Sequence, residues 1–129
     1  MIVVDTSVII AIVFREPERQ LFYDKILDDG SAQISAVSYM EAGMVLTSRL
    51  GDAGEQVFDQ ILHKTNISVT PVSPSQAKVA LEAFRRYGKG RHPAGLNFGD
   101  CFSYALAKST GQPLLFKGLD FAKTDIVSA

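Results

Sequence analysis

The sequence predicts an α/β fold, a single domain spanning residues 1–129 in which a central parallel sheet of four to five strands is covered by helices on both faces. Three observations predict it. The chain opens on Ile2-Val3-Val4, an aliphatic run with no polar face, as expected of a short strand buried on both sides in mid-sheet. Strand-like runs then alternate with longer helix-like segments, the order that builds βαβ units and hence an α/β/α sandwich. The 129 residues are 47% apolar and 21% charged, which supports one real core and excludes a disordered chain.

Each element follows from its residues. Asp5 is the first polar residue after the opening strand, and Thr6 and Ser7 offer cap hydroxyls for a mostly buried helix running to Phe14. Pro17 starts a second helix that reaches Asp29 and stops at Gly30. Ala32–Ser35 reads as a short strand. Ser38 with Glu41 resembles a capping box opening a helix to Leu50, with Met40 and Met44 expected in the core. Glu55–Lys64 is amphipathic, and Ile67–Pro71 is a strand closed by proline. Ser73-Pro74 starts a helix to Tyr87. The glycine-rich stretch from Gly88 to Phe98 is a loop, after which Asn97 caps a helix ending at Gly111. Pro113–Phe116 is a further buried strand, Lys117–Phe121 a turn, and Asp125–Val127 an edge strand.

The run Val8–Phe14 is far shorter than the ~20 apolar residues of a membrane span, and no basic segment precedes it. No signal peptide or lipidation motif is expected. The single cysteine, Cys101, excludes an internal disulfide and a Cys-rich zinc site. These features favour a cytoplasmic protein with no membrane partner.

Charge is uneven. Residues 1–77 hold 5 basic against 10 acidic side chains, whereas residues 78–129 hold 8 against 4. Arg85, Arg86, Lys89, Arg91 and His92 form the densest basic cluster, as would suit a phosphate-rich partner, although an ordinary solvated helix end and loop would carry the same charges.

The acids carry the chemistry. In a parallel sheet the carboxyl ends of strands and the amino ends of the helices that follow share one edge, where ligands bind. Asp5, Glu41, Asp100 and Asp120 are all predicted on that rim. Singly, each has a plainer job as helix cap, capping-box partner, helix-end charge or turn residue. Together they repel, and cations must neutralise them. Hard oxygen donors suit Mg²⁺ or Mn²⁺, with Asp5, Asp100 and Glu41 as ligands. An acidic metal site beside a basic cluster is what metal-assisted phosphodiester hydrolysis requires, and no histidine pair or activated serine or cysteine offers another route. A metal-activated water would leave a 5′-phosphate and a 3′-hydroxyl. Gly88, Gly90 and Gly95 match no nucleotide-binding pattern.

The sequence resembles the PIN-domain ribonucleases, and more closely the VapC-type toxins of bacterial toxin–antitoxin pairs. The resemblance rests on Val-Val-Asp-Thr-Ser at 3–7, Ser-Tyr-Met-Glu-Ala at 38–42 and Tyr-Gly-Lys-Gly-Arg-His at 87–92, then on residues 96–107 and 113–126. It implies a Mg²⁺- or Mn²⁺-dependent endoribonuclease, inhibition by a cognate antitoxin, and a homodimer. The family's acidic quartet carries over onto Asp5, Glu41, Asp100 and Asp120. Many members have the fourth acid earlier in its turn, where this chain has Gly118 and Leu119, so Asp120 is expected to stand farther from the metal or to meet it through water. Two other acid-rimmed folds fit less well. A dehalogenase-type phosphotransferase needs a second Asp where Ser7 stands, and a response-regulator receiver needs paired acids at the first strand and an Asp after the third. The remaining alternative is a catalytically silent PIN-like module that binds RNA or protein.

Overall fold

The structure is a computed structural model describing residues 1–129. Four parallel strands lie in the order β3-β2-β1-β4. They are β1 (Ile2–Val4), β2 (Ala32–Ser35), β3 (Ile67–Thr70) and β4 (Leu114–Leu115). β1 sits inside the sheet, with Val3 opposite Gln33 on one side and Leu114 on the other.

Side chains on a strand alternate between faces, and here the alternation divides the core in two. Ile2 and Val4 point into a cluster with Val8, Ile9, Ile12, Phe22, Ile26 and Leu46. These come from α1 (Thr6–Val13), α2 (Arg19–Asp29) and α3 (Ala36–Leu50), and α4 (Ala53–Lys64) adds Phe58 and Ile61. Val3 points the other way, among Ala83, Tyr87, Leu96, Tyr104 and Leu106. These belong to α5 (Pro74–Tyr87), to α6 (Phe98–Thr110) and to the loop between them. The α/β/α sandwich is thus the expected one, with four strands.

Local chemistry sets the boundaries. Ser73 caps α5 by accepting from the Gln76 N–H, and α6 carries a full capping box between Asn97 and Asp100. The α6 helix stops at Gly111, whose φ of 67° lies in the left-handed region that glycine adopts without a Cβ clash. The loop from Gly88 folds back on itself. Leu96 N–H donates to the Tyr87 carbonyl and Lys89 N–H to the Leu96 carbonyl, which sets the end of α5 beside the start of α6.

Three expectations require correction. Ser38 and Glu41 form no capping box, because β2 already ends in a serine. Ser35 is extended (ψ 142°) and accepts from the Val37 N–H, so α3 starts directly at the strand end. Met40 and Met44 are not core. The buried face of α3 is Ser38, Ala42 and Leu46, and the methionines, two positions out of phase, are 60% and 58% exposed. Asp125–Val127 forms no edge strand, and only Ser128 makes a bridge, to Leu114. Asp125 is instead drawn onto α6, where Tyr104 Oη donates to it at 2.6 Å and Lys108 pairs with it at 2.8 Å.

Candidate active site

Asp5 leaves β1 at its carboxyl end and is 4% exposed. Its extended backbone makes it the N-cap of α1, in place of the cap expected from Thr6 or Ser7. One carboxylate oxygen, Oδ2, accepts from the Ser7 N–H at 3.0 Å and from Ser7 Oγ at 2.7 Å. The other, Oδ1, accepts from Ser103 Oγ of α6 at 2.6 Å. Ser7 Oγ in turn accepts from the Lys117 N–H at 3.0 Å, which ties the exit of β4 to the exit of β1. The cap and the candidate ligand are therefore one residue, whose carboxylate is fixed on both sides.

Asp100 lies in the first turn of α6, and its Oδ2 accepts from the Asn97 N–H at 3.0 Å. Burial pushes its carboxyl up from 3.8 to about 7. The Asn97 N–H opposes that rise, while the charges of Asp5, Glu41 and Asp120 add to it. Helix α6 gathers the acids by contact: Ser103, one turn after Asp100, holds Asp5, and Glu41 lies against Gly99, the residue before Asp100. Glu41 reaches α6 from the second turn of α3 and packs against Gly99, where a Cβ would fall 2.6 Å from its Oε1. Glu41 makes no side-chain hydrogen bond. Asp120 is exposed at the start of the 3-10 turn Phe121–Lys123, and its charge is the last and smallest of those acting on Asp100. No three acidic, His or Cys side chains close into a ligand cage. The arrangement is an open rim of hard oxygens, one pinned (Asp5), one half-pinned (Asp100) and one free (Glu41). This donor set fits Mg²⁺ or Mn²⁺, which take one or two carboxylates and keep several waters.

The basic cluster is only partly free. Arg86 lies 3.8 Å from Asp125 and donates to Tyr87 Oη, and Arg85 lies 3.8 Å from Glu82. Arg91 donates to the Arg85 carbonyl, and Lys89 is exposed with no ion-pair partner. His92 is half-buried, its Nδ1 accepting from the Ala94 N–H and its ring edge-on to Tyr87. Burial pushes the Cys101 thiol up to about 11, so it is no nucleophile.

Sequence reasoning missed Ser103 and the Lys117 backbone. Ser103 carried a readable signal, since it lies one helical turn after Asp100 and so faces the same way.

The model of the PIN domain matches residues 2–127. Ribonuclease VapC of Mycolicibacterium smegmatis is 48% identical over 126 residues, covering 98% of both chains. This chain belongs to the VapC family of PIN domains. Ribonuclease VapC30 of Mycobacterium tuberculosis is 46% identical over 126 residues, covering 98% of this chain and 96% of its own. Among solved structures, the VapC fold recurs in Mycobacterium tuberculosis VapC20, described as a Sarcin-Ricin loop cleaving toxin. Its TM-score is 0.78 at 20% identity, over 100% of this chain and 98% of that one. It recurs also in VapBC2 of Rickettsia felis bound to promoter DNA, with a TM-score of 0.80 at 12% identity over the same shares of the two chains. At these identities the structures attest to the fold alone. No helix of this VapC-family chain is long and apolar enough to cross a membrane.

Proposed function

We propose that this protein is a divalent-metal-dependent endoribonuclease and the toxin of a type II toxin–antitoxin pair. The observation that carries the reading is the gathering of acids around the start of α6, where Asp100 stands one turn before Ser103, which holds Asp5, and next to Gly99, against which Glu41 packs. A VapC-family chain that keeps these acids keeps what a silent binding module would not need. The names of the relatives support ribonuclease activity, and the promoter-bound VapBC2 complex supports an antitoxin partner.

Asp5 and Asp100 would hold Mg²⁺ or Mn²⁺, with Glu41 binding directly or through water. When bound, the cation neutralises charge on the phosphoryl oxygens and makes a water acidic enough for in-line attack on phosphorus. The residues supply the rest. Ser7 and Ser103 keep Asp5 oriented, and Asp100 gives up its proton before it can act as a ligand. Glu41, free of other hydrogen bonds, orients the water and accepts its proton, with Asp120 as a more distant acceptor. Lys89 and Arg91 draw the RNA backbone toward the rim, Arg85, Arg86 and His92 adding weaker or indirect contacts. A second copy would cover the apolar groove of about 350 Å³ between α5 and α6, lined by Leu81, Phe84, Phe98 and Phe102.

The test is end-group analysis of RNA cut by the purified protein, with and without chelator. The expected products carry 5′-phosphate and 3′-hydroxyl ends and vanish with chelator. A 2′,3′-cyclic phosphate would refute the water mechanism, and the absence of any metal-dependent cleavage would leave the binding module.

A further inference from the structure

Two buried serines outside the acidic set meet behind Asp5. Ser38 and Ser103 are both fully buried, and their hydroxyl oxygens lie 2.9 Å apart across the α3–α6 contact. Ser103 Oγ stands 2.6 Å from Asp5 Oδ1. Ser103 Oγ is the donor to Asp5, and a hydroxyl has one proton to give, so Ser38 must donate to Ser103. The chain Ser38→Ser103→Asp5 is directional. A carboxylate offers about four acceptor positions. Ser7 takes two on Oδ2 and Ser103 takes one on Oδ1, so the position left for a cation is on Oδ1, the oxygen that Ser103 holds.

We infer that Ser103, backed by Ser38, is a positioning residue that orients Asp5 Oδ1 for the divalent cation; the inference rests on the cation reading above. Partners behind a metal ligand fix its direction and charge, and their loss weakens metal binding by about 10- to 100-fold. Ser38 acts one bond farther away. Donating to Ser103 polarises that hydroxyl and fixes its rotor, so Ser38 has a smaller effect that exists only through Ser103.

The test measures Mn²⁺ binding to the full-length, metal-free protein by electron paramagnetic resonance and calorimetry, with no RNA present. Expected are a loss of about tenfold in affinity for Ser103→Ala and about two- to threefold for Ser38→Ala. The double variant should match Ser103→Ala alone. Circular dichroism and Tm accompany each variant, since a purely structural role would lower Tm and leave the affinity of the folded protein unchanged. Should Ser103→Ala fold poorly, Ser38→Ala reads the same chain without touching an Asp5 bond. Asp5→Asn separates the two claims. If Asp5→Asn abolishes Mn²⁺ binding while both serine variants bind within 1.5-fold of the parent, the positioning role is wrong and the cation reading stands. If Asp5→Asn binds Mn²⁺ like the parent, the cation reading and this inference fall together.

Discussion

Replacing Asp100 with Asn should stabilise the metal-free protein, and by an amount that depends on pH. In the folded chain the carboxyl sits near 7, against 3.8 for the ordinary group. Between these values the folded state holds a proton that the unfolded state has released, so stability falls as pH rises from about 4 to about 7 and stays low above. At 1.36 kcal/mol per tenfold, the ionised carboxylate would cost about 4 kcal/mol in a fully dry site. Asp100 is only half-buried, and solvent screening reduces this to about 2 kcal/mol. Asp100→Asn removes the charge, while the amide oxygen still accepts from the Asn97 N–H. The variant should therefore match the parent below pH 4 and exceed it by about 2 kcal/mol at pH 8, or about 6–10 °C in Tm. Urea titrations with chelator at pH 4, 6 and 8 measure this directly. Excess Mn²⁺ should reverse the order, because at 100 times Kd it stabilises the parent by about 2.7 kcal/mol and the variant far less. A stability difference that does not change with pH would refute the reasoning.

Gly99→Ala should separate activity from folding. The new methyl meets the flexible end of Glu41 and pushes it away, while alanine favours the helix by about 0.5–1 kcal/mol. RNA cleavage should fall at least about tenfold with Tm unchanged or higher, as paired activity and melting measurements would show. Replacing Lys89 and Arg91 with Gln should make the salt dependence of RNA binding shallower by about 1.4 in log–log slope, the loss expected for two single-strand phosphate contacts. Arg86→Gln, whose partner is Asp125, should change that slope less, and fluorescence anisotropy across a salt series compares them. Phe98 is 74% exposed on the α5–α6 groove; under the proposal that a second copy covers that groove, light scattering should find a dimer for the parent and a monomer for Phe98→Glu, and a parent that is monomeric would refute it.

What could be read from the residues was what depends on short-range pattern. Ile2–Val4 had to be an inner strand because it has no polar face, and from that Asp5 had to stand at the ligand edge. Asn97 announced itself as a helix cap, and Ser73-Pro74 its helix start. The same kind of pattern misled at Ser38 and Glu41. That spacing is right for a box, but Ser35, at the end of β2, stands earlier in the chain and takes the cap. The pairing of Ser38 with Ser103, 65 residues apart, depends on how α3 crosses α6, which no local signal encodes. The methionines of α3 failed for a related reason. Helical spacing reveals a stripe, but only packing decides which stripe turns inward.

The ties that complete the site join residues far apart in the chain. Ser103 reaches Asp5 across 98 positions, and the Lys117 N–H reaches Ser7 across 110. β1 itself gains its second neighbour only when β4 arrives. A ribosome adding about 5–20 residues per second would therefore release Asp5 some 5–20 seconds before its partners exist. Until α6 and β4 dock, the first strand has an open edge and its aspartate has only Ser7 for company. The acidic rim is thus among the last parts of the molecule to form during synthesis, and the emerging chain carries its key carboxylate without the means to aim it.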